Sequence, residues 1–209
     1  MKTAFQTILT FTLTVLLMTG CSPTSDPEPD KAGAQEAAKT DAPVPPAEAE
    51  PPLMEIFISK TDFGTTAEGE KVMLYTLRNK AGMEARITNY GGIVVSLTAP
   101  DREGNLEDIV LGYETLAEYE KENPYFGALI GRYGNRIGKG QFVLGAETHQ
   151  LTVNDGPNHL HGGERGFDKV VWDAKTEEGE NGPSLLLAYT SEDGEEGYPG
   201  TLHAVVRYT

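Results

Sequence analysis

Two short stretches hold most of the side chains able to do chemistry. GRYGNRIGKG (131–140) sets Arg132, Asn135 and Arg136 among glycines. NDGPNHLHGGERGFDK (154–169) places His159 and His161 on either side of Leu160 and follows them with Gly162-Gly163. Planar groups with several donors, such as Arg, Asn and His, suit a neutral polyol, and glycines let the backbone come close to it. An imidazole titrates near neutrality and can hold or pass a proton. Two other chemistries use the same residue types. A phosphate loop needs G-x-x-x-x-G-K-[ST], but the run from Gly134 to Lys139 is one residue short and Gly140 replaces the hydroxyl, which excludes it. An H-x-H pair on a strand turns both imidazoles to one side and can begin a zinc or iron site. Glu164 is the nearest further ligand; His149 and His203 are distant in sequence. We assign no metal. The plainest alternative is a pair of tight turns with solvated arginines, one surface histidine and one packed histidine.

The elements that must hold these residues read as β. EIFIS (55–59), KVMLYTLRN (71–79), EARITNY (84–90) and GIVVSLTAP (92–100) are rich in β-branched and aromatic residues, with turn signals between them. DIVLGY (108–113), FVLG (142–145), ETHQLTV (147–153), KVVWDAKT (169–176), SLLLAYT (184–190) and LHAVVRYT (202–209) continue the series. In KVMLYTL both alternating sets of side chains are apolar, which predicts a strand covered on both faces. Only TLAEYEKE (115–122) reads as helix, with Leu116 and Tyr119 on one side. The expectation is an all-β domain, a large twisted antiparallel β-sandwich. The final strand-like run reaches Thr209 without a turn, and the domain reads as incomplete at its C-terminal side.

The 209 residues leave room for one ordinary domain and additional segments. A formal net charge of -15 offers no basic face, which argues against nucleic acid and against electrostatic attraction to anionic lipid. Lys2, the apolar run 4–18 and the small residues Thr19-Gly20 have the layout of a secretory signal peptide. Leu17-Met18-Thr19-Gly20-Cys21 resembles a bacterial lipobox, which implies cleavage before Cys21 and lipidation of its sulfur. Acyl chains contribute about 0.8 kcal/mol per buried CH₂, enough for a lasting anchor when several are present. Cys21 is the single cysteine, so no intrachain disulfide forms. Residues 22–53, dominated by Pro, Ala, Asp and Glu, bury too little to offset chain entropy and read as an extended tether, with a partner-binding tail as the alternative. The expected organisation is a signal peptide over 1–20, lipidated Cys21 and its tether over 21–53, and a β-domain over 54–209. The expected location is the periplasmic side of a bacterial outer membrane.

GMEARITNYGGIVVSL (82–97), DREGNLEDIVLGY (101–113), FGALIGRYGNRIGKGQF (126–142), NDGPNHLHGGERGFDKVVW (154–172) and DGEEGYPGTLHAVVRYT (193–209) resemble, in order, the aldose 1-epimerase (galactose mutarotase) family. The spaced pair G-R-x-x-N-R-I and N-x-L-H-G-G-x-x-G-F-D-K-x-x-W is the specific part. The resemblance implies cofactor-free interconversion of the α and β anomers of an aldohexose such as galactose or glucose, by a monomer. It places Asn135 and Arg136 on sugar hydroxyls and His161 in a supporting role near the ring oxygen, and leaves His159 structural. It also implies a glutamate base and a second histidine acid, neither of which has a match in these 209 residues. The chain alone is therefore expected to be catalytically silent and poorly folded. A lipid-anchored sugar-binding module of the same fold is the alternative function.

Overall fold

The computed structural model describes Leu9–Thr10 and residues 54–209 apart from 122 and 181. Lipidation at Cys21, the tether and most of the export sequence lie outside the described residues. Among those described, no helix is long and apolar enough to cross a membrane.

Strands β2 (Phe57–Thr65), β3 (Lys71–Arg78), β4 (Glu84–Thr88), β5 (Val94–Pro100) and β6 (Leu106–Asp108) form one antiparallel sheet in chain order. A second sheet runs in the order β1 (Leu9–Thr10), β13 (Leu202–Tyr208), β12 (Ser184–Ser191), β11 (Asp173–Glu177). Within it β1 lies parallel to β13, opposite Ala204 and Val205, and the other pairs are antiparallel. Between the two sheets in sequence come helix α1 (Leu116–Lys121) and two small ladders, β7 (Arg136–Ile137) with β10 (His159–Leu160) and β8 (Gln141–Leu144) with β9 (Glu147–Gln150). The protein is all-β, as its pattern requires.

The core explains why β3 is apolar on both sides. Tyr75, with Met73 and Leu77 beside it, packs with Ile87 against Trp172, Leu185 and Leu187 of the second sheet region. Val72 and Leu74 face the other way, into a cluster with Tyr90, Ile93, Val95, Leu116 and Tyr119. One face is therefore covered by a sheet and the other by α1 and the 90–95 segment. Each such side chain contributes about 1.5–3 kcal/mol through burial. Six residues cannot sustain an isolated helix. Helix α1 persists because the Glu118 carboxylate reaches back to its start, Oε2 accepting from Thr115 N and Oγ1 at 3.0 and 2.7 Å, as in one half of a capping box, and because Leu116 and Tyr119 bury one face.

Several segments depart from the expected strands; ETHQLTV stops as a strand at Gln150, and two others are redirected by side chains. DIVLGY leaves the ladder at once, because Asp108 Oδ1 accepts from the N–H groups of Leu97 and Val110, both at 3.1 Å, and bends the chain into a turn. Ile109 and Leu111 are left 62% and 70% exposed. KVVWDAKT becomes a strand only from Asp173. Before that, Asn89 fastens it across the sandwich, its Nδ2 donating to Trp172 O at 3.0 Å while Trp172 N donates to Asn89 O at 2.8 Å.

Candidate functional site

The β7–β10 ladder brings the two motif stretches together, pairing Ile137 with His159 and Arg136 with Leu160. At its end the residues just outside the ladder bond each other twice. His161 N donates to Asn135 O at 3.1 Å, and Asn135 N donates to His161 Nδ1 at 3.0 Å. Both residues have left-handed backbones, with φ of 71° at Asn135 and 53° at His161. Arg136 follows alongside. Its Nε lies 2.6 Å from Asp155 Oδ2, and its N–H donates to Asn135 Oδ1 at 2.9 Å. The three residues singled out in the sequence thus form one cluster on an accessible surface, Asn135 and Arg136 exposed and His161 half-buried.

The loop carrying His161 is braced from beneath. Asn154 Oδ1 accepts from Leu160 N at 2.7 Å, and its Nδ2 donates to Leu160 O at 2.9 Å and Gly163 O at 2.8 Å. Gly162 explains the first glycine of the motif, because a Cβ there would lie 1.6 Å from Gly131 O. Tyr125 lies against His161 with ring centroids 4.6 Å apart, and Lys169 Nζ sits 5.6 Å from the Tyr125 ring. Below them Asp168 is buried, one carboxylate oxygen 3.3 Å from Lys169 Nζ. Burial pushes its carboxyl pKa up, and the positive charge of Lys169 works against that rise. Lys169 also lines a polar cavity of about 250 Å³ with Tyr90, Glu70, Glu120 and Arg165.

His159 and Arg132 have other work. The two imidazoles of the H-x-H pair do not share a side, since β10 ends at Leu160 and His161 turns away. His159 is fully buried, with Nδ1 2.7 Å from Thr152 O and Nε2 2.7 Å from the Tyr198 hydroxyl. Both ring nitrogens are occupied, which removes it as a metal ligand and makes it the packed histidine of the motif. Among the described residues no group of three or more His, Cys, Asp or Glu side chains is placed to hold a metal ion. Arg132 spends its guanidinium on the turn before β13. Nε donates to Ser191 Oγ at 2.7 Å, Nη2 to Ser191 O and Glu192 O at 2.8 and 2.7 Å, and Nη1 to Gly200 O at 2.7 Å.

Sequence reasoning missed Asp155, Asn154 and Tyr125. The first two belong to a turn-forming N-D-G-P run whose polar side chains signal local bonding, and that was the available clue. Nothing in the local sequence marks Tyr125, which reaches His161 through the tertiary fold.

What the cluster offers is donors. Asn135 Oδ1 is engaged by Arg136 N at 2.9 Å and by Arg136 Nη1 at 3.5 Å, which leaves the Asn135 amide nitrogen and Arg136 Nη2 to meet a ligand. Such a surface is complementary to an array of oxygen lone pairs.

Comparison with solved structures gives the class first. Galactose 1-epimerase from Lactobacillus acidophilus NCFM superimposes with a TM-score of 0.65 at 31% identity, over 74% of this chain and 44% of that one. An aldose epimerase homologue from C. elegans gives 0.57 at 32% identity, over 62% and 39%. The family model for aldose 1-epimerase matches residues 73–209, and the chain belongs to that family. Among curated relatives, galactose mutarotase of Sus scrofa is 40% identical over 154 residues, covering 74% of this chain and 44% of the relative. Aldose 1-epimerase of Escherichia coli K12 is 37% identical over 141 residues, covering 68% and 40%. The chain thus spans less than half the length of these relatives.

Proposed function

We propose that residues 54–209 supply the sugar-binding part of an aldose 1-epimerase acting on aldohexoses such as galactose or glucose. The observation that carries this reading is the pair of hydrogen bonds between Asn135 and His161 with Arg136 fixed beside them. Three donor-bearing side chains are held in one place before any ligand arrives, which lowers the ordering cost of binding.

Interconverting anomers asks for modest chemistry. The O1 proton leaves, the ring oxygen gains a proton, the C1–C2 bond rotates and the ring closes on the other carbonyl face. A base and an acid on opposite sides of the sugar each supply roughly 10²- to 10⁴-fold. Asn135 and Arg136 hold hydroxyls and fix the ring, so that those proton transfers occur in line. His161 faces the ring oxygen and favours the charge that gathers there during opening. The family resemblance assigns the transfers themselves to a glutamate and a second histidine that these 209 residues do not match. Export and anchoring through lipidated Cys21 belong to the same proposal and rest on the lipobox-like sequence.

Two measurements test it. Calorimetric titration of the chain with galactose and with glucose should show binding, weakened at least about tenfold by Arg136→Ala, a loss of about 1.4 kcal/mol. Polarimetry of freshly dissolved α-galactose should show no acceleration by the 209-residue chain. Absence of sugar binding removes the proposed site, and clear acceleration shows that the proton relay is misplaced.

A further inference from the structure

We infer that Asn135 sets the tautomer of His161 through its main-chain N–H, so that the imidazole meets a bound sugar only as a hydrogen-bond donor, from Nε2. The tautomer follows from geometry alone; its consequence for the sugar rests on the function proposed above.

A neutral imidazole has one N–H and one lone pair, and the bond made by one nitrogen decides the state of the other. Asn135 N lies 3.0 Å from His161 Nδ1 and is a donor, so Nδ1 supplies the lone pair. The ring proton is then on Nε2. Turning the ring over offers no alternative, because Cδ2–H would then face the Asn135 N–H. The contact is held from the other direction by His161 N donating to Asn135 O at 3.1 Å. The ring is further packed against Tyr125, with centroids 4.6 Å apart and planes tilted by 59°. Among the described residues Nε2 of His161 has no hydrogen-bond partner, which leaves its N–H for a ligand.

His159 supplies an internal contrast two residues away. Thr152 O can only accept, so Nδ1 of His159 carries the proton, and Nε2 accepts from the Tyr198 hydroxyl, each at 2.7 Å. Two histidines separated by a single leucine therefore carry opposite tautomers.

The assignment restricts what His161 does with a sugar. Nδ1 is occupied and Nε2 already carries a proton, so the ring is not the base that takes the O1 proton. It requires a lone pair opposite it, as a ring oxygen or a carbonyl oxygen provides. Asn135 accordingly acts twice, through its side chain on the ligand and through its backbone as a positioning residue for His161.

Imidazole nitrogens of the ¹⁵N-labelled full chain report this directly. At alkaline pH, where histidines are neutral, long-range ¹H–¹⁵N spectra should show His161 protonated at Nε2 and His159 protonated at Nδ1, with His161 identified by its loss in His161→Gln. A scalar coupling across the hydrogen bond should join the Asn135 amide nitrogen to His161 Nδ1. Asn135→Gly keeps the N–H and suits a φ of 71°. It should therefore preserve the His161 tautomer and its coupling while weakening galactose binding about tenfold. Protonation of His161 at Nδ1, an averaged pair of tautomers or absence of the coupling overturns the inference. Intact tautomers in a chain that fails to bind galactose or glucose instead remove the proposed function and leave the tautomer assignment standing.

Discussion

Replacing Tyr198 with phenylalanine deletes one oxygen atom, and the surroundings of that atom set the cost. The Tyr198 hydroxyl lies 2.7 Å from Nε2 of His159, a residue with no solvent exposure, and Tyr198 itself is 7% exposed. With the hydroxyl gone, Nε2 keeps a lone pair that neither water nor protein reaches. The imidazole cannot escape by shifting its proton, since that would abandon the bond from Nδ1 to Thr152 O. Leaving a buried polar atom unpaired costs about 1–3 kcal/mol. With a urea dependence of about 2 kcal/mol per M, the unfolding midpoint should fall by roughly 0.5–1.5 M. Trp172, the single tryptophan and only 1% exposed, reports the transition by fluorescence. A second arm isolates the pair. His159→Leu alone strands the Tyr198 hydroxyl, so the double variant His159→Leu with Tyr198→Phe should cost about 1 kcal/mol less than the two single effects summed. A midpoint for Tyr198→Phe within about 0.2 M of the parent, or strict additivity in the double variant, would refute the account of His159 as a satisfied core histidine.

Arg132→Lys removes a planar fork that a single ammonium cannot copy, and should destabilise by about 2 kcal/mol, lowering Tm by about 4–8 °C in a thermal scan. Gly162→Ala drives a methyl group into Gly131 O and should cost more than about 3 kcal/mol, whereas Gly145→Ala, with φ of 65° and open space around it, should cost only about 1 kcal/mol by the same urea assay. Asp155→Asn leaves Arg136 without its counter-charge and should weaken galactose binding several-fold with little change in unfolding midpoint, measured by titration. Burial raises the phenol pKa of Tyr90, Tyr198 and Tyr208 from 10.0 to about 12, and burial aided by Glu195 does the same for Tyr189. Between those values the unfolded chain releases protons that the folded chain retains, so stability is complete below about pH 10 and falls as pH rises toward 12. Urea midpoints taken across that window should decline steadily; a flat profile would show that these phenols are not held neutral.

Much of the sandwich was legible because its strands carry their own signal. β3 (Lys71–Arg78), β12 (Ser184–Ser191) and β13 (Leu202–Tyr208) fall within a residue or so of where side-chain type places them. β6 and the start of β11 were not, because Asp108 and Asn89 redirect backbone bonding through side chains whose partners lie in other segments. At the site, glycine-flanked Asn135, Arg136 and His161 stood out as donors, and the structure places them together. The loss of the common side for His159 and His161 was illegible, since alternation assumes a strand that continues, and φ of 53° at His161 ends it. Asp155 could be seen as a turn residue but not as the partner of Arg136, a pairing across 19 positions that only the ladder creates.

The bond from Asn135 to His161 spans 26 positions of chain, so it exists only when the fold does. An aldose that engages both residues therefore selects the native ensemble over the denatured one. By linkage, ligand at a hundredfold excess over its Kd adds about 2.7 kcal/mol to unfolding. Ranking sugars by how far they raise the melting temperature then orders their affinities without any turnover being required.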